Sequence, residues 1–241
     1  MKQTVIALSI LLSTAAGFGQ TPPAFEAASI KLNTSVDTGT HSHSTPGALN
    51  MQNQTLRSLV WSAYSVREYQ VLGGPKWLDT DRYDINAKAN KPAEEPELML
   101  MLQTLLAERF KLLVHRESKP LPGYALVVAR KGLKIKPVEG ATGSSTKSAN
   151  RILTAKGISM AHLADWLARQ LGMPVLDDTH VSGVFDFTLQ WSREDSSGVA
   201  PAGAPPLLPD ALEEQLGVRL DPRKLRQDVI VVDSAEKAVE N

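Results

Sequence analysis

The sequence contains no cysteine. Disulfides, thiolate nucleophiles and iron–sulfur clusters are therefore excluded, and so is a lipid anchor attached through an N-terminal cysteine. The sequence also lacks an excess of either charge: 26 Lys and Arg balance 26 Asp and Glu. A neutral surface offers no general attraction to a phosphate backbone, which argues against nucleic-acid binding. No H-E-x-x-H helix motif and no G-x-S-x-G elbow occurs. Gly73-Gly74-Pro75 is not a phosphate loop, because no G-K-[ST] follows and proline removes a donor. Ser144 to Lys147 formally spells S-x-x-K, but in a Gly/Ser-rich stretch rather than on a helix. What remains has globular proportions, with 42% hydrophobic and 22% charged residues. Its core must hold without covalent staples.

The N-terminus has the layout of a secretory signal peptide. Lys2 supplies a positive start, Val5 to Phe18 is uncharged and apolar, and Gly17 and Gly19 provide small residues for cleavage. The apolar run is shorter than the roughly 20 residues needed to span a bilayer. Residues 1–19 are thus expected to be removed on export, leaving no transmembrane segment.

Hydrophobic periodicity then predicts an α+β fold in two similar small units. Each unit has a few mostly antiparallel strands packed on two helices. The first covers residues 24–137, residues 138–150 form a linker, and the second covers 151–235 with a flexible insertion at 193–206. Thr55 caps a helix whose Leu56, Leu59, Val60, Ala63 and Tyr64 share one face. Arg82 to Ala89 alternates as a half-buried strand. Pro96 opens a helix through Leu98, Met101, Leu102 and Leu105. Lys111 to Glu117 and Tyr124 to Ala129 read as strands of a hairpin turning at Leu121-Pro122-Gly123. Ser159 caps a second helix through Met160, Leu163, Trp166 and Leu167, ended by Gly172. Val184 to Trp191 alternates, Pro209 to Leu216 is a short helix, and Val218 to Leu220 and Val229 to Val232 are strands. Asn33 to Gly47 reads as an exposed loop. The order of elements is the same in both units, with Arg82-Tyr83-Asp84-Ile85 opposite Val184-Phe185-Asp186-Phe187. This implies an internal duplication.

Few residues offer chemistry. His115 and Glu117 lie two apart on a strand and point the same way, as a base and its orienting carboxylate could. An ordinary cross-strand ion pair gives the same pattern. His41 and His43 are also two apart and could grip a metal if a third ligand converged. Trp77, Tyr83 and Trp191 could line a ligand groove between the units, or could belong to the cores. No cofactor is implied.

Several segments resemble one bacterial family. They are Phe25 to Lys31, Gly73 to Trp77 with Asp81 to Ile85, Leu105 to Leu112 with His115-Arg116-Glu117 and Tyr124 to Val128, and Ser159 to Ala164 with Gly172 to Val175 and Gly183 to Leu189. The chain is thereby similar to the soil-associated hypothetical proteins, a domain of unknown function also attached to BlaR-type sensor metallopeptidases. One departure is His180, where that family has Gly. The resemblance assigns no catalytic residue; it implies export and an accessory or sensory role at the envelope. Leu153 to Trp191 also resembles the short N-terminal domain of secretins and TonB-dependent receptors, which serves protein contact.

Three functions are compatible with these features. The first is a non-catalytic binding or interaction module, periplasmic or extracellular, whose partner is another envelope protein or an extracellular ligand. The second is a secreted hydrolase using His115 and Glu117. The third is a metal-binding protein using His41 and His43.

Overall fold

The helices begin where their caps predict. Thr55 Oγ1 accepts a hydrogen bond from the Ser58 amide at 3.1 Å, and α1 spans Leu56–Ala63 with Leu56, Leu59, Val60 and Ala63 buried. Ser159 does the same for the His162 amide, and α3 spans Met160–Leu171. Between them α2 spans Glu95–Arg109, with Pro96 in its first turn. The last helix, α4 at Leu208–Ala211, runs on into a wider π-type turn at Leu212–Leu216. The computed structural model describes residues 22–35, 39–140, 143–193 and 204–238. The expected signal peptide and most of the insertion at 193–206 lie outside these. Among the described residues no helix is long and apolar enough to cross a membrane.

Among the described residues eleven strands form three sheets, and the chain is α+β. The first sheet has the order β1 (Ala27–Leu32), β5 (Arg82–Lys88), β3 (Ala48–Thr55), β2 (His41–Thr45). The second has β10 (Phe185–Gln190), β8 (Ile152–Ile158), β7 (Ser145–Ala149). The third joins them: β4 (Val71–Gly73), β11 (Val218–Ser234), β6 (Leu113–Val128), β9 (Val175–Asp177). β6 and β11 run antiparallel along nearly their whole lengths, and β4 and β9 flank them in parallel.

The central pair corrects two sequence expectations. Residues 111–129 do not form a hairpin, and residues 218–220 and 229–232 are not separate strands: β6 and β11 each run straight through. Pro122, which signalled a turn, sits where a ladder tolerates it. Tyr124 donates its N–H to Pro174 O, away from β11. Pro120 and Pro122 have the same parity, so their missing donors also fall on the side away from β11. Gly123 is required by crowding rather than by a turn, since a Cβ there would lie 2.4 Å from Pro174 O. Likewise Asn33 to Gly47 is not all loop, because β2 pairs with β3 across Pro46-Gly47.

The long strands also exchange ends. The first core is built on Leu59, Ile85, Leu102 and Phe110, and it is completed by Ile230 and Val232 from the end of β11. The second is built on Leu153, Leu163, Phe185 and Leu189, and it is completed by Leu126 from the end of β6. Each half thus supplies a strand to the core of the other.

The halves correspond in detail. β2 and β3 pair in the same register as β7 and β8, with His41 opposite Gln52 and Ser145 opposite Lys156. One constant shift in residue number takes Asn53 to Gly157, Thr55 to Ser159 and Val71 to Val175. Asn53 and Gly157 both have left-handed backbone, φ 57° and 59°. Their amides donate to Asp84 at 2.8 Å and Asp186 at 2.7 Å. These carboxylates therefore hold irregular points in β3 and β8 and are committed to structure.

Candidate functional site

Matching positions show where the halves differ. A cavity of about 780 Å³ in the first half lies between β2 and α1. Leu49 and Met51 of β3 form its floor, Ser42 and Ser44 one rim, and Trp61 and Met99 the opposite side. Trp61 is 37% exposed, although it is the largest side chain of an amphipathic helix. Its position follows from the helical period: Leu56, Leu59, Val60 and Ala63 take the core face, and Trp61 falls beside it. Arg67, at one end of the groove, bonds to Asp165 of α3 at 2.7 Å, so the second half braces this end.

Among the described residues, the matching place of the second half is filled. Ser62, on the wall of the groove, corresponds to Trp166, which is only 8% exposed. Trp166 packs edge-to-face on Trp191, with ring centroids 5.5 Å apart. An aromatic pair fills in one half the volume that Ser62 and a half-exposed Trp61 leave open in the other.

The rim of the groove is a sheet edge. β2 is last in its sheet, and all five of its residues are exposed. In a hairpin closed by the pair Thr45 and Ala48, residues of odd number bond inward to β3. Ser42 and Ser44 therefore turn their backbone N–H and C=O outward. Neither lysine nor proline guards this strand, which leaves it open to pairing.

The residues singled out from the sequence do not gather in one place. Tyr83 is 2% exposed in the first core, edge-to-face on Phe110 at 5.0 Å, and burial pushes its phenol pKa up. Trp77 packs against the same core under Lys237, whose ammonium lies 5.9 Å from the ring centroid. Trp191 belongs to the second core. The three aromatics thus line no common groove.

His115 and Glu117 do share a face of β6, with His115 Nε2 3.7 Å from Glu117 Oε2. The closer partner of His115 is Asp233 on β11, 2.9 Å from Nδ1. This hydrogen bond is the main reason the imidazole pKa lies above its ordinary value. Glu117 also pairs with Lys119 at 2.9 Å, chiefly which holds its carboxyl below the usual range. All of these groups are about half exposed on an open strand face. A water-facing ion-pair chain of this kind orders side chains and contributes little to stability. His41 and His43 lie on the exposed edge strand β2, on the face away from the groove rim.

Sequence reasoning missed the groove and Asp233. Trp61 carried the available signal, a tryptophan just off the apolar face of a well-defined helix. Asp233 carried none, because its meeting with His115 depends on the β6–β11 register.

No curated protein and no solved structure matches this chain. A family described as a protein of unknown function, DUF3738, matches residues 57–235, well over half of the chain, and the chain belongs to that family.

Proposed function

We propose that this protein is an exported, non-catalytic binding module of the cell envelope. Its groove beside β2 takes an extended segment of another envelope polypeptide. The halves descend in this reading from one duplicated unit, of which only the first kept an open site. The observation that carries it is the contrast at one matched position: Ser62 borders an open groove, whereas Trp166 is packed under Trp191. A free strand edge beside an apolar groove suits strand addition. Main-chain hydrogen bonds supply affinity, and pockets for alternate side chains supply selectivity. Trp61 is placed to act as the aromatic anchor of such a contact. The resemblance to a domain attached to sensor metallopeptidases, and that of Leu153 to Trp191 to short contact domains of secretins and receptors, point the same way.

The test is selection of displayed heptapeptides against the intact protein, followed by titration of the selected peptides. Binding is expected to change the fluorescence of Trp61. It should be lost in Ser62→Trp, which fills the groove as the second half is filled, and weakened in Trp61→Ala. Peptides that bind Ser62→Trp as tightly as the unaltered protein would refute the assignment.

A further inference from the structure

On the outer face of β2, away from the groove, the geometry points to a two-histidine site for a divalent transition-metal ion. The register of β2 fixes the relevant geometry. His41 lies opposite Gln52 and His43 opposite Asn50, so the two imidazoles leave the same face of one strand. Residues two apart on a strand are separated by about 6.8 Å. Two imidazoles at that spacing can converge on one ion at the usual metal–nitrogen distance of about 2.0–2.1 Å. Both residues are exposed, and neither ring is engaged in any hydrogen bond or ion pair among the described residues. Their ring nitrogens are therefore available as lone-pair donors.

The surroundings suit a cation. His41 shares a small cavity of about 240 Å³ with Asp84, Gln52 and Asn53. Asp84 there holds two hydrogen bonds on one carboxylate oxygen, from Asn33 at 2.9 Å and from the Asn53 amide. Its negative charge lies near the site without itself being a third protein ligand, in keeping with the lack, among the described residues, of any three or more His, Asp or Glu side chains placed to hold a metal ion. Water or an incoming ligand would fill the remaining positions.

The comparison between halves shows that the fold does not demand these histidines. β7 pairs with β8 in the register that β2 makes with β3, and it carries Ser145 and Lys147 where β2 carries His41 and His43. A lysine at the second position would repel a metal ion. The imidazole pair is thus particular to the first half. Imidazole favours zinc, copper and nickel over magnesium and calcium, which prefer oxygen ligands.

The experiment is calorimetric titration of the tag-free protein with zinc, and with magnesium in parallel. Side-chain NMR of the five histidines is recorded alongside. One zinc ion per chain is expected, with the His41 and His43 signals moving together and those of His115, His162 and His180 unmoved. Affinity should fall by roughly tenfold or more in His41→Ala and in His43→Ala, as for loss of one of two ligands. Both substitutions lie on an exposed strand and leave the melting temperature of the metal-free protein unchanged. No saturable zinc binding, equal binding by the double variant, or equal affinity for magnesium would overturn the assignment.

Discussion

Replacing Leu126 by alanine tests the strand exchange most directly. Leu126 is fully buried, and it belongs by sequence to the first half and by packing to the second core. It sits among Leu163, Leu167 and Phe185 and pairs along β11 with Leu220. Truncating a fully buried leucine costs about 2.7–5.0 kcal/mol, the upper end applying where neighbours cannot collapse into the void. Here the neighbours are held by α3 on one side and the β6–β11 ladder on the other, so roughly 4 kcal/mol is expected. Because Ile230 and Val232 of β11 close the first core in turn, the loss should be felt by the whole chain. Denaturant unfolding should show one transition, moved to lower denaturant with its slope kept. Fluorescence of the tryptophans and far-UV circular dichroism should coincide. Two separate transitions, with the first half keeping its original midpoint, would refute the claim that each half completes the other.

Cleavage of the chain between residues 138 and 144 should leave the two fragments associated through a gel-filtration column, since β6 and β11 continue to bind across the cut; fragments that separate without denaturant contradict the exchange. Asp186→Ala removes the acceptor of the Gly157 amide and should destabilise the protein by about 1–3 kcal/mol in chemical denaturation, with Asp84→Ala acting similarly on Asn53. Ser159→Ala should cost about 1 kcal/mol as a lost N-cap, measured in the same way. His115 should titrate by NMR above an ordinary histidine and return toward the ordinary value in Asp233→Asn. Its folded pKa is raised, so the stability contributed by this pair is fully present below the unfolded value near 6.5 and is lost as pH rises through the folded value.

Much of the fold was legible because local signals decided it. Thr55, Ser159, Pro96 and Gly172 mark helix ends where the helices do begin and end, and the apolar faces read from the sequence are the buried ones. The central pair was not legible for a physical reason. Pro120, Pro122 and Gly123 carry the composition of a turn, and only the identity of the neighbouring strand shows that the prolines lie on a side needing no donor there. β2 was hidden differently, since His-Ser-His-Ser-Thr has no apolar member and is a strand only because β3 holds it. Of the candidate site, His41 and His43 were named, but their shared face awaited the register. The groove was missed because Ser42, Met51, Trp61 and Met99 come from four separate elements.

The exchange of strand ends has a consequence for how the molecule is made. The residues that close the first core, Ile230 and Val232, are synthesised only after the helices of the second half. Partners in the central ladder are separated by roughly a hundred residues, and contacts that distant make folding slow. An emerging chain would carry a complete set of first-half helices and strands with one side of their core still uncovered. It would stay loosely organised and vulnerable to aggregation until β11 arrived. A chaperone that shields this uncovered side would act on the nascent chain from the emergence of the first half until that of β11.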